Sequence, residues 1–102
     1  MSQVAVIAKI QALPGKRADL IEVFQAGLET AESEAGTLQY VMHEDAADAD
    51  LIWFYEVYEN QDALAAHGSS EGMKALGMAS RAFAAARPEI TFLNPIGGKG
   101  RV

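Results

Sequence analysis

Residues 51–59, LIWFYEVYE, restrict the folds open to this chain more than any other stretch. Their β-branched and aromatic side chains favour a strand, in which successive residues point to opposite faces. Leu51, Trp53, Tyr55 and Val57 then share one face, and Ile52, Phe54 and Tyr58 the other, where Glu56 is the only charge. A sheet with helices on one face and water on the other alternates apolar with polar residues. This strand does not alternate, so both of its faces need cover. Residues 3–11, QVAVIAKIQ, behave similarly, with Val4 and Val6 on one side and Ala5, Ile7 and Lys9 on the other. At about 25 cal/mol per Å² of apolar area, leaving several large side chains wet forgoes several kcal/mol, comparable with the stability margin of a small domain. A second copy of the same sheet is the simplest cover, because a two-fold interface needs only one self-complementary surface. The expectation is a homodimer, sheet against sheet, with helices outside.

The remaining elements fall around these strands. The first strand ends at Leu13-Pro14-Gly15, a turn signal. From Lys16 the apolar period lengthens: Leu20, Phe24, Leu28, Ala31 and Ala35 share one helical face, predicting a helix over 16–35 with Gly36 as its C-cap. Residues 37–44, TLQYVMHE, read as a strand, joined to 51–59 by the polar turn DAADAD to make a hairpin. Asn60 can cap a short helix carrying Leu64 and His67 on one face and ending at Gly68. Ser69 or Ser70 can cap another, whose Met73, Leu76, Ser80 and Phe83 keep helical spacing and whose AFAAAR sequence extends it until Pro88. Residues 89–95 form the last strand. The order β-α-β-β-α-β, with a broken second helix, predicts an α+β ferredoxin-like antiparallel sheet with helices on one face. Residues 1–95 make a single domain. Residues 96–102, IGGKGRV, make a flexible C-terminal tail able to lie across a partner, and its glycines form no phosphate-loop fingerprint.

Composition narrows the function. A length of 102 residues suits one domain with a real core, and the formal charge of −6 repels nucleic acid and anionic membranes at long range. Without cysteine there can be no disulfide, thiolate nucleophile or zinc-thiolate site, which fits a reducing cytoplasm. The opening MSQVAVIAKI has no basic n-region and is interrupted by Lys9, so neither a signal peptide nor a membrane span is expected. A cytoplasmic protein is the expectation.

The residues able to carry chemistry are few. His67 stands at the helix break, either as a helix-terminal histidine interacting with the C-terminal dipole or as an imidazole held over a pocket. His43 reads as a solvent-facing hairpin residue. No HxH, HxxxH or HExxH spacing offers converging metal ligands. Trp53, Tyr40, Tyr55 and Tyr58 are either strand packing or the wall of a flat apolar ligand site with an indole or phenol donor. Arg81, within the alanine-rich helix, is solvated or aimed at a developing oxyanion. Glu56 reads as an interface or salt-bridge residue in preference to an acid. Asp45, Asp48 and Asp50 lack the glycine and terminal glutamate of a calcium loop and read as a solvated turn. There is no GxSxG serine nucleophile.

The segments LPGK, AGTLQY, FYEVYEN and ALAAHGSSEGMKAL, set in this element order, resemble the antibiotic biosynthesis monooxygenase family, small dimeric α+β-barrel proteins that include quinol monooxygenases. The likeness extends over about residues 3–95. Tyr58 stands where the family usually has tryptophan, and Gly68, Ser69 and Ser70 where it has a leucine followed by Ser-Pro. The resemblance implies cofactor-independent oxygenation, without flavin, metal or haem, of a small electron-rich aromatic such as a hydroquinone or anthrone. Triplet dioxygen reacts slowly with closed-shell molecules unless the substrate readily gives up an electron, which a deprotonated hydroquinone does. The protein then has to exclude water, take a proton and stabilise the anion. In that scheme His67 is the base or anion partner and the one residue on a recurrent family position. Trp53, Tyr40 and Arg81 serve as pocket donors, with Leu64, Met73 and Phe83 lining the pocket. A haem-degrading branch of the fold has its haem-ligating histidine ten positions after that of His67, where this chain has Gly77, which argues against haem chemistry. A non-enzymatic ligand-binding or stress-response dimer, or an isomerase using His67 as a proton shuttle, remain alternatives on the same pocket.

Overall fold

The computed structural model describes residues 2–100. Its elements are β1 (Val4–Gln11), α1 (Arg17–Glu32), β2 (Thr37–Glu44), β3 (Leu51–Tyr58), α2 (Gln61–Gly68), α3 (Glu71–Ser80) and β4 (Glu89–Leu93). The strands form one antiparallel sheet in the order β2-β3-β1-β4, the expected ferredoxin-like α+β arrangement. Arg101 and Val102, the end of the expected tail, lie outside the described residues.

The register sorts the side chains by face as the strand pattern predicts. Val4, Val6, Ala8 and Ile10 stand opposite Tyr58, Glu56, Phe54 and Ile52. Leu20 and Phe24 of α1 and Leu76 of α3 pack on the lower part of this face, and Phe24 meets Phe54 edge to face at 5.3 Å between ring centroids. The opposite face carries Ala5, Ile7 and Lys9 against Val57, Tyr55 and Trp53. Val41 and Tyr55 are 46% and 37% exposed there. After β4 the chain turns back along this face, where Gln39 Nε2 donates to the Gly100 carbonyl at 3.0 Å. The opposite edge of the sheet is open, since every residue of β4 is exposed.

Two helices are shorter than the sequence pattern predicts. The helix expected to continue through AFAAAR stops at Ser80, because residues 83–85 use their backbone groups elsewhere. Leu13 N donates to Phe83 O and Ala85 N to Gln11 O, each at 2.8 Å, while Ala84 bridges Ala12. These bonds tie the segment to the end of β1, and tertiary pairing overrides alanine's helix propensity. Arg81 is therefore the C-cap of α3, not a mid-helix residue.

Helix α1 likewise ends at Glu32 and is capped by Ser33, so Gly36 is not its C-cap. Glu34 and Thr37 instead form a turn, with Thr37 N donating to Glu34 O at 3.1 Å. Glycine is needed at 36 for a different reason: a Cβ there would lie 2.7 Å from the Ala63 Cβ, where α2 crosses close to the turn. Both expected N-caps form. Asn60 Oδ1 accepts from Ala63 N at 2.8 Å, and Ser70 Oγ accepts from Met73 N at 3.2 Å.

Candidate functional site

The site is assembled where β2 and β3 pass beneath the helices. A register shift between Thr37 and Gln39 inserts one extra residue in β2. Thr37 stands opposite Tyr58 and Tyr40 opposite Glu56, so both fall on the helix-covered face although three positions apart. In a regular strand, residues at that separation point to opposite sides. The bulge brings Thr37 onto the face of Tyr40, whose own direction is set by its regular pairing with Glu56.

His67 is 4% exposed, and its ring lies 5.1 Å from that of Tyr40 and 5.3 Å from that of Tyr58. Its Nδ1 is 2.6 Å from Glu34 Oε1, which also accepts from Thr37 Oγ1 at 2.9 Å. The early end of α1 places Glu34 in the turn from which it reaches the imidazole. A carboxylate at Nδ1 holds the neutral ring's proton on that nitrogen and leaves Nε2 as the acceptor. Nε2 is buried and has no hydrogen-bond partner among the described residues.

Glu56 lies beside this pair, 8% exposed, and accepts from Tyr58 Oη at 2.5 Å. Burial raises its pKa above the ordinary glutamate value, against the lowering effects of the Tyr58 hydrogen bond and of nearby His67. It has no ion-pair partner among the described residues, so the salt-bridge reading of Glu56 does not hold. Burial, reinforced by the neighbouring carboxylates Glu56 and Glu34, holds the Tyr40 phenol well above its usual range. Burial and the bond to Glu56 do the same for Tyr58. Both phenols therefore remain donors at any physiological pH.

Glu56 and Tyr40 open onto a cavity of about 140 Å³ whose lining includes Phe24, Phe54, Met73 and Leu76. A larger outer groove, about 640 Å³, adjoins it and shares Ile10, Met73, Gly77, Ser80 and Pro88 with it. Of the residues expected at a pocket, Tyr40 and Met73 line the inner cavity and Arg81 the outer groove. His67 stands behind Tyr40, buried but outside the cavity wall. Leu64 is half-buried on α2, and Phe83 packs against the core. Trp53 is on the other face of the sheet, where its indole N–H donates to Asp45 Oδ1 at 2.8 Å and Lys9 Nζ sits 5.7 Å from the ring centroid.

The aspartate-rich turn is a structural network. Asp45 accepts from the backbone N–H groups of Ala47 and Asp48, and Arg17 donates to the Asp48 carbonyl at 2.8 Å. Glu34 was not foreseen as part of the site. It lies 33 residues from His67, and no spacing rule connects them. A signal for Glu56 was visible, because it is the one carboxylate in a strand otherwise apolar from Leu51 to Tyr58.

The fold and this arrangement can be set beside known proteins. The sequence profile of the antibiotic biosynthesis monooxygenase family matches residues 3–77. The chain belongs to that family. A solved structure of a candidate antibiotic biosynthesis monooxygenase from Chloroflexus aurantiacus is 33% identical, covers 97% of this chain and 98% of its own, and superposes with a TM-score of 0.82. Another such candidate, from Caulobacter crescentus, is 27% identical over 94% of this chain and 92% of its own, with a TM-score of 0.87. An uncharacterised protein of Synechocystis is 31% identical over 64 residues, 63% of this chain. This chain spans less than half of that relative, 44% of its length. In this monooxygenase-family member, Tyr40, Glu56 and Tyr58 share the helix-covered face with His67 packed against the two phenols, and no described helix is long and apolar enough to cross a membrane.

Proposed function

We propose that the protein is a cofactor-independent monooxygenase that oxidises a small electron-rich aromatic diol with dioxygen. The observation that carries this reading is the buried Glu56 carboxyl on the wall of an aromatic-lined cavity, with the Glu34–His67 pair behind it. A dry cavity of about 150 Å³ is enough to take benzene, so the inner cavity suits one aromatic ring.

The chemistry asked of the protein is modest. Glu56, a stronger base than an ordinary carboxylate because of its burial, takes the proton of a ring hydroxyl. His67 packs against Tyr40 and Tyr58 beside Glu56, with Glu34 at Nδ1 holding its orientation. Tyr40, locked in its protonated form, donates to the phenolate oxygen. The phenolate passes one electron to dioxygen, and superoxide combines with the ring radical at carbon to form a peroxide. Loss of water from the peroxide leaves the hydroxyquinone. A hydroquinone and one dioxygen thus give one hydroxyquinone and one water, with no external reductant.

The decisive measurement is oxygen uptake with a hydroquinone and anthrone panel under metal-free conditions, comparing wild type with Glu56→Gln and His67→Ala. Uptake with product formation, lost in Glu56→Gln and reduced in His67→Ala, supports the proposal. Product without uptake points to isomerisation, and binding without turnover to a ligand-binding role. We also propose that two copies pair through the face bearing Val41 and Tyr55, whose exposure leaves apolar area for a self-complementary contact. A monomeric mass by light scattering at micromolar concentration would defeat that assembly.

A further inference from the structure

The outer groove differs in charge from the rest of the molecule. Lys74, Arg81 and Arg87 line it, three of the chain's 8 Lys and Arg residues, and no Asp or Glu is among its lining residues. This occurs on a chain with a formal charge of −6. Arg81 and Arg87 have no carboxylate partner among the described residues, and Lys74 makes only an exposed contact with Glu71 at 3.6 Å. The early end of α3 is what brings the two arginines here. Had the helix run on to Pro88, residues 81 and 87 would stand about 120° apart around its axis, on different faces.

We propose that the substrate is an aromatic acid, with its ring in the inner cavity and a carboxylate in the outer groove against Arg81 and Arg87. This rests on the monooxygenase reading for the chemistry at the ring, but the charge recognition stands on the groove alone. The five residues shared by the two cavities put the groove next to the ring site, within reach of a ring substituent. Guanidinium groups match a carboxylate with paired N–H donors, and the local positive potential gathers anions that the remaining surface repels. The ring hydroxyl then points toward Glu56 and the carboxylate away from it, which sets the orientation of the ring. Because both arginines are exposed, the preference for the acid over the neutral diol is about tenfold at low ionic strength.

The test is anaerobic calorimetric titration of the full chain with hydroquinone and with dihydroxybenzoate, using wild type and the double variant Arg81→Gln/Arg87→Gln. The expected result is about tenfold tighter binding of the acid to wild type. That advantage should disappear in high salt and in the double variant, with hydroquinone affinity and melting midpoint unchanged. Equal affinities in wild type, a preference that survives in the double variant, or no binding of either compound overturns the inference. The titration needs no turnover. Charge preference without oxygen uptake would defeat the monooxygenase reading alone, and uptake of hydroquinone without charge preference would defeat this inference alone.

Discussion

Two aromatic donors on β3 each reach a carboxylate, and the two carboxylates respond in opposite directions. Tyr58 donates to Glu56 at 2.5 Å on the helix-covered face, and Trp53 donates to Asp45 at 2.8 Å on the other. Asp45 is pulled below its ordinary pKa, first by the backbone N–H of Asp48, then by the Trp53 indole and the Ala47 N–H, with a smaller effect from Arg17. Glu56 is pushed up, because burial outweighs the lowering effect of an equivalent bond. A donor always favours the charged form, so burial decides the sign here. One pair holds a turn in shape. The other sets a carboxyl of raised basicity beside a cavity.

The comparison breaks most directly at Glu56. Glu56→Gln keeps the side chain's shape and an oxygen for Tyr58 but cannot take a proton, so kcat/KM for oxygen uptake should fall by about 10²- to 10⁴-fold. A loss well short of that range would remove Glu56 from the chemistry. Next in size is Tyr58→Phe, which takes the donor from a buried carboxylate and should cost about 1–3 kcal/mol by urea unfolding. The same change should move the acid limb of the activity profile to higher pH, since the group that lowers the Glu56 pKa is gone.

The pH dependence of stability should separate the two carboxylates by sign. The raised Glu56 pKa means that the folded state keeps this proton to higher pH than the unfolded chain does. Its contribution is fully present below the ordinary glutamate range and declines as pH rises through the folded value. Glu56→Gln should therefore gain stability relative to wild type between acid and neutral pH. Asp45 works the other way, contributing above the ordinary aspartate range and losing that contribution as pH falls through its lowered value. Asp45→Asn should melt slightly below wild type at neutral pH and level with it in strong acid. The smallest effect is expected from Trp53→Phe, which should leave oxygen uptake unchanged, and a marked loss would show that the far face contributes to the reaction.

How much of this was readable in advance depended on how far along the chain the controlling interaction reaches. The caps at Asn60 and Ser70, the turn at Gly15 and the two apolar faces of β3 are set by residues within a few positions of one another, and they stand where the sequence places them. AFAAAR has strong helix propensity by the same local rules, yet its backbone is claimed by residues 11–13. Trp53 and Tyr40 looked equally eligible as pocket donors. Strand pairing settles both, since Tyr40 stands opposite Glu56 on the face of His67 and Trp53 opposite Lys9 on the other.

By itself, then, the sequence determined the order of the elements, the ferredoxin-like class and a β3 strand apolar on both faces, because period and capping are written in near neighbours. Only the tertiary structure decided which ionisable groups meet. The Glu34–His67 contact joins residues 33 apart, and the rise in the Glu56 pKa comes from the loss of water around it. Desolvation is a property of the packed molecule, produced by every element that closes over a side chain, and no spacing of letters along one strand encodes it.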